Sequence, residues 1–152
     1  MALYLVQHGK NLPKETDEQQ SLSDQGIADV ERIADTAGAY NVTVSAIRHS
    51  GKKRARQTAE IMARKLGVSD VNETEGLKAL DDPAAFAQKI KAGDDLMLVG
   101  HLPFMEKMAS YLTTGSMEYT VFKFQNGGIV CLDKPADSDF WAVTWALMPQ
   151  VG

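Results

Sequence analysis

All three histidines of the 152-residue chain stand directly after short apolar runs. Gln7-His8-Gly9 follows Leu3-Tyr4-Leu5-Val6, Arg48-His49-Ser50 follows the run over residues 42–47, and Gly100-His101 follows Leu96-Met97-Leu98-Val99. A neutral imidazole can act as a nucleophile, pass a proton or ligate a metal. The second histidine leads into Gly51-Lys52-Lys53-Arg54, with Arg56 close behind. Positive charge in the first turns of a helix opposes the helix dipole and gains nothing locally. A bound phosphate offsets that conflict, and a guanidinium such as that of Arg54 can hold one through two parallel hydrogen bonds. The bland alternatives are a solvated basic helix face and a structural histidine at each strand end. Three histidines also match the ligand set of a catalytic zinc, so a metallohydrolase is a rival. The basic surroundings disfavour a cation, and no close pair such as His-x-x-x-His occurs. The pattern therefore favours an anion site with no metal. The single cysteine, Cys131, lies in Ile129-Val130-Cys131-Leu132 and reads as a small buried strand residue rather than a nucleophile.

These residues must be positioned by the elements around them. The run over residues 3–6 is a strand covered on both faces. The polar stretch over residues 9–23 is a long loop, and long ordered loops are often functional. Ser23 reads as the N-cap of a helix carrying Ile27, Val30, Ile33, Ala34 and Ala37, with Gly38 as its stop. Residues 42–47 read as a second buried strand. Ser50 is the expected cap of the next helix, which carries Ala55, Ile61, Met62 and Leu66 and stops at Gly67. A short strand is expected over 68–71. Asp82-Pro83 starts a helix with Phe86, Ala87 and Ile90 on its apolar stripe and Gly93 at its end. Residues 96–99 form a third buried strand, and Pro103 opens a helix bearing Met105, Met108, Ala109 and Leu112. Toward the C-terminus, residues 121–124 and 129–132 flank Gln125-Asn126-Gly127-Gly128, a hairpin signal. Residues 140–147 read as a further strand. Alternating strands and helices followed by antiparallel strands predict a three-layer α/β/α sandwich, with a mainly parallel central sheet and an antiparallel edge. Ligands of such sheets bind outside the carboxyl ends of the strands, where all three histidines fall.

Composition narrows the function classes. With 20 acidic and 16 basic residues the net charge is −4, which argues against general nucleic-acid binding. One cysteine permits no intramolecular disulfide. No apolar stretch approaches the ~20 residues needed to cross a membrane. Met1 leads straight into the first strand without a basic start or a long apolar region, so no leader peptide is expected and the location is expected to be cytoplasmic. The length fits a single domain over residues 1–152.

Four segments resemble the motifs of the histidine phosphatase superfamily, the phosphoglycerate mutase-like proteins. Leu3 to Gly9 is similar to the opening strand and its Arg-His-Gly, and Leu22-Ser23-Asp24-Gln25-Gly26 to Leu-Thr-x-x-Gly. The run from Ser50 through Arg54-Ala55-Arg56-Gln57-Thr58-Ala59 is similar to Ser-x-x-x-Arg-Ala-x-Gln-Thr-Ala, and Gly100-His101-Leu102-Pro103 to Gly/Ser-His-x-Pro. The resemblance runs nearly the whole chain and is strongest to the short SixA-type phosphohistidine phosphatases. It implies a phosphoglycerate mutase-like fold and a phosphatase that needs no metal and no organic cofactor. It also implies that His8 is the nucleophile that becomes a phosphohistidine, that Arg54 and His101 hold the phosphate oxygens, and that Ser50 lies at the mouth of the site. His49 has no strong family role. Gln7 and Gly9 flank the nucleophile: Gly9 lets the main chain approach closely, and a nearby backbone carbonyl can orient the imidazole. A phosphoryl group in transfer spreads charge over three oxygens, so such a site mainly positions and stabilises it.

Two departures from the pattern bear on function. Gln7 stands where the family usually has arginine. Its amide donates a hydrogen bond without charge, and replacing a charge-assisted bond of roughly 1.5–3 kcal/mol by a neutral one of about 1 kcal/mol weakens phosphate stabilisation. That is at most about a hundredfold in rate. Lys10, Lys52 or Arg56 can compensate; alternatively the chain is a phosphate-binding pseudo-enzyme. Second, the mutase and phosphomonoesterase branches place a glutamate between the second and third motifs to protonate an alkoxide. After Leu77-Lys78, the expected position holds Ala79, and Glu75, Asp81 and Asp82 are the fallback acids, Asp82 being better explained as a helix cap. An alcohol leaving group benefits from a positioned acid, whereas an imidazole, with a free pKa of roughly 6.5, needs far less help. The expected substrate is a phosphohistidine on a phosphotransfer or carrier protein in signal transduction, with a small-molecule phosphate monoester as the alternative.

Overall fold

The computed structural model describes residues 2–151. Its ten elements run β1 (Leu3–Gln7), α1 (Asp24–Ala39), β2 (Ala46–His49), α2 (Lys53–Leu66), β3 (Val71–Glu73), α3 (Pro83–Ala87), β4 (Leu96–Gly100), α4 (Phe104–Thr114), β5 (Ile129–Asp133) and β6 (Ala142–Leu147). The strands form one six-stranded sheet in the order β3-β2-β4-β1-β5-β6. The first four of that order are parallel, and β5 and β6 complete an antiparallel edge.

Side chains alternate across each strand, so β1 feeds two cores. Tyr4 and Val6 pack with Val30 and Ile33 of α1 and Ala55 and Met62 of α2. Leu3 and Leu5 pack on the other face with Phe86 of α3 and Phe104 and Met108 of α4. This is the three-layer sandwich expected from the alternating pattern. Ser23 caps α1 by accepting a hydrogen bond from the Gly26 amide at 3.0 Å. Gly67, at φ 71°, ends α2 in the left-handed conformation that glycine adopts without steric cost.

Several boundaries differ from those expected. The second strand covers 46–49 rather than 42–47, because the main chain of 42–45 is used elsewhere. The Val42 amide donates to Ala37, the Ser45 amide donates to Asp95, and the Thr43 carbonyl accepts from the Tyr4 hydroxyl. The third strand lies at 71–73 rather than 68–71, because the Val68 amide donates to Ala63 at the end of α2. Helix α1 runs one residue past Gly38, while α3 stops at Ala87, well before Gly93. The last strand begins at Ala142, not at residue 140. Residues 121–124 form no strand. A strand has two edges, and β5 gives one to β1 and the other to β6, which leaves none for 121–124. The Gln125-Asn126-Gly127-Gly128 turn is present, with the Gly128 amide donating to Gln125, but it joins no hairpin.

The sheet register fixes where the histidines lie. Gln7 pairs with Gly100 and His49 with Val99, so the carboxyl ends of β1, β2 and β4 align at one edge. His8, Ser50 and His101 each follow that edge by one residue.

Candidate active site

His8 extends β1 by one further hydrogen bond, its amide donating to the Gly100 carbonyl at 2.9 Å. Its Nδ1 lies 2.7 Å from the Gly9 carbonyl oxygen. A carbonyl only accepts, so Nδ1 carries the proton and Nε2 keeps its lone pair. Thr58 completes the support from below: its hydroxyl accepts from the Gly9 amide at 2.9 Å and donates to the Arg54 carbonyl at 2.8 Å. The segment that holds His8 is thereby tied to the helix turn that carries Arg54. Close packing makes this possible, since a Cβ on Gly9 would come 2.8 Å from Val30 Cγ2 and one on Gly26 would come 2.0 Å from the Lys10 carbonyl oxygen.

The His101 ring faces His8 with 5.0 Å between centroids and the planes tilted by 53°. Its Nε2 shares a hydrogen bond of 2.6 Å with the Ser50 hydroxyl. Ser50 is thus committed to His101 rather than capping α2, whose N-cap is Lys52 with no side-chain cap bond. Both imidazoles are held below the ordinary histidine range. Burial is the main cause for each, and the Arg54 charge adds to it. His101 is pushed down to about 4, with His8 and Lys52 contributing further. Arg54 makes no hydrogen bond from its guanidinium and no ion pair among the described residues. Two neutral imidazoles beside an unpaired guanidinium form a site of net positive charge, with an unprotonated ring nitrogen on His8 and free donors on Arg54. It suits a tetrahedral oxyanion.

The remaining expected residues fall as follows. Gln7 is buried at the end of β1, and its Oε1 accepts no hydrogen bond among the described residues. His49 is turned to its own loop, its Nδ1 accepting from the Gly51 amide at 3.2 Å. The fallback acids are occupied or exposed. Asp81 accepts from the Lys78 amide at 2.9 Å, Asp82 caps α3 by accepting from the Ala84 amide at 3.0 Å, and Glu75 is exposed. Among the described residues no group of three or more His, Cys, Asp and Glu side chains is placed to hold a metal ion.

The residue that sequence reasoning passed over is Asn126. Its amide donates to the His8 carbonyl at 2.9 Å, while the Gly127 amide donates to the Gln7 carbonyl at 2.8 Å. The turn read as the tip of a hairpin instead clasps the main chain at Gln7 and His8. Its Asn-Gly-Gly composition signalled a turn but carried no sign of its partner.

Comparison with known proteins identifies the fold and the family. No curated protein sequence matches the chain significantly. Among solved structures, the protein assigned as the phosphohistidine phosphatase SixA of Agrobacterium tumefaciens is 26% identical, with a TM-score of 0.77 over 97% of each chain. A SixA protein histidine phosphatase bound to tungstate is 19% identical, with a TM-score of 0.78 over 98% of this chain and 97% of that one. The phosphoserine phosphatase of Entamoeba histolytica is 16% identical, with a TM-score of 0.71 over 95% of each chain. The family model described as histidine phosphatase superfamily, branch 1, matches residues 3–81. That span is just over half of the sequence and includes His8, Ser50 and Arg54, so the chain belongs to the histidine phosphatase superfamily and is a phosphatase of that kind.

Proposed function

We propose that the protein is a phosphohistidine phosphatase acting on a histidine-phosphorylated phosphotransfer or carrier protein, through a covalent intermediate on His8. The observation that carries this reading is the Nδ1 bond from His8 to the Gly9 carbonyl at 2.7 Å, which leaves Nε2 unprotonated beside the unpaired Arg54. In the first step Nε2 attacks phosphorus, the N–P bond of the substrate breaks, and the departing imidazole takes a proton from solvent. Water then attacks the phosphoenzyme, the His8–phosphorus bond breaks, and inorganic phosphate leaves while a proton passes to solvent. Arg54 and His101 hold the phosphoryl oxygens throughout, Ser50 orients His101, and Gly9 orients His8. No step requires a metal or an organic cofactor. The substrate class is supported by leaving-group chemistry. Ala79 offers no acid, and the carboxylates of Asp81 and Asp82 are engaged by backbone amides, so a leaving group that departs without strong acid help is favoured. The chain acts as one domain, in the cytoplasmic setting of signal transduction. No helix among the described residues is long and apolar enough to cross a membrane.

The test offers a histidine-phosphorylated protein to wild type and to His8→Ala in parallel. Wild type releases phosphate and yields an acid-labile phosphoenzyme, and the variant does neither. Phosphate release by His8→Ala at the wild-type rate would overturn the nucleophile. Failure of wild type on that protein, alongside good turnover of sugar phosphates, would replace the substrate by a small monoester. Gln7, standing where the family usually has arginine, leaves one rival, a pseudo-enzyme. That rival binds phosphate but forms no phosphoenzyme on any substrate.

A further inference from the structure

Beside the catalytic centre runs a groove of about 440 Å³. Lys14 lies on one wall, Lys52 and Lys53 lie on the other, and Arg54 belongs both to the groove and to the phosphate cradle. None of these four cations makes an ion pair among the described residues, and Glu18 is the one acidic residue lining the groove. The chain as a whole carries a net charge of −4, so this is a local reversal of sign.

The groove wall is built, not loose. The segment over residues 10–22 closes on itself through the Asn11–Leu22 bridge and the Leu12 amide donating to Ser21 at 2.8 Å. Asp17 accepts from the Gln19 and Ser21 amides and from the Ser21 hydroxyl. The Leu22 amide donates to Gln57 Oε1 at 2.8 Å, which fastens the segment to α2. Lys14 is thereby held across from the start of α2. The two lysines opposite it have no acidic partner among the described residues. Lys52 and Lys53 occupy the N-cap and first position of α2, where positive charge opposes the helix dipole and the cap makes no side-chain bond.

We infer that this groove docks an acidic segment of the phosphorylated protein, flanking the histidine whose phosphoryl group enters the site. The inference rests on the phosphohistidine reading above and names what recognises the substrate beyond its phosphoryl group. Charge complementarity at a rim sets encounter rate, register and salt dependence more than it sets chemistry. Neither Lys14 nor Lys53 hydrogen-bonds to His8, Arg54 or His101, so their contribution is separable from catalysis.

The experiment compares wild type with Lys14→Glu/Lys53→Glu on two substrates, a phosphohistidine protein with Asp and Glu flanking the target and free phosphohistidine. The double variant is expected to raise KM for the protein at least tenfold with kcat kept, and to leave free phosphohistidine turnover within about twofold. Raising salt should lower wild-type kcat/KM on the protein and barely move the variant's, because exposed charges are screened over about 10 Å at 0.1 M. A substrate whose acidic flank is changed to lysine should restore the variant. Equal losses on both substrates, or no loss on either, would overturn the docking groove. If wild type turns over neither substrate, the substrate reading fails on its own. The groove is then judged by binding of an unphosphorylated Asp/Glu-rich peptide: binding lost in the double variant supports it, and no binding to wild type overturns it.

Discussion

Acid lability of the unliganded protein follows from the way His101 is buried. The side chain is 3% exposed, shares its Nε2 with Ser50 and lies beside His8 and Arg54. Burial first, then its proximity to His8 and the charges of Arg54 and Lys52, push its pKa from 6.5 to about 4. In the unfolded chain the group titrates near its ordinary value. Between about pH 6.5 and 4 the unfolded state therefore binds more protons, so stability falls as pH is lowered through that window. At about 1.36 kcal/mol per pKa unit, the loss is on the order of 3 kcal/mol by pH 4. That is a large part of the roughly 5–15 kcal/mol that holds a domain together. His8 and His49 shift in the same direction and add to the slope. Asp70, held low by Arg48, loses its contribution only below the ordinary carboxylate range, outside this window. The assay is urea unfolding from pH 7.5 to 4.5 for wild type and His101→Gln. Wild type should lose stability steeply, the variant should lose clearly less, and saturating phosphate should flatten the wild-type slope, because an imidazolium is favoured beside a bound dianion. Equal slopes in wild type and His101→Gln, with or without phosphate, would refute the reasoning.

Three further outcomes test the parts of the site. Gln7→Arg should strengthen inorganic phosphate binding and raise kcat/KM by about twofold to thirtyfold, the range separating a neutral from a charge-assisted hydrogen bond; calorimetry with phosphate and steady-state rates check it, and a fall in both would show that Gln7 is not a weaker substitute. Gly26→Ala places a methyl 2.0 Å from the Lys10 carbonyl oxygen, so the Gly9–Lys10 main chain must move. Denaturant unfolding should show a loss of at least about 1–3 kcal/mol, with slower phosphoenzyme formation. Asn126→Ala removes the donor to the His8 carbonyl; it should cost about 1 kcal/mol of stability yet slow rapid-quench phosphoenzyme formation about tenfold with phosphate affinity kept, and Asn126→Asp, which has no donor, should not rescue it.

The parts of the molecule that were legible in the sequence are those set by short-range signals. Buried runs such as Leu96–Gly100 and the Asp82–Pro83 helix start declare themselves within a few residues. Because β1, β2 and β4 are parallel and in register, residues that merely follow strands in sequence arrive together in space. His8, Arg54 and His101 could be grouped for that reason. What stayed hidden depends on partners distant along the chain. Residues 121–124 look like a strand until β1 and β6 occupy both edges of β5. Ser50 looks like a helix cap until His101, 51 residues away, takes its hydroxyl. Asn126 is joined to His8 across 118 residues, and no local pattern reports such a bond.

On the proposed reading, the phosphate site and the groove beside it divide the work of recognition. Around His8 the polar groups are few and their tasks are separate. The Gly9 carbonyl fixes His8, Ser50 engages His101, and Arg54 stays unpaired. Nothing in that set distinguishes one phosphorylated compound from another beyond the phosphoryl group itself, and Ala79 contributes no proton to a leaving group. Such a centre discriminates by leaving-group chemistry: an alkoxide departs slowly and an imidazole departs readily. On the proposed reading, phosphohistidines on different proteins share the same leaving group, so choice among them is made outside the pocket. The structure places the unpaired Lys14 and Lys53 there, on walls pinned by Asp17 and Gln57. Their separation from the imidazoles lets docking be altered without altering chemistry, and this is why a KM effect confined to the protein substrate is the informative result.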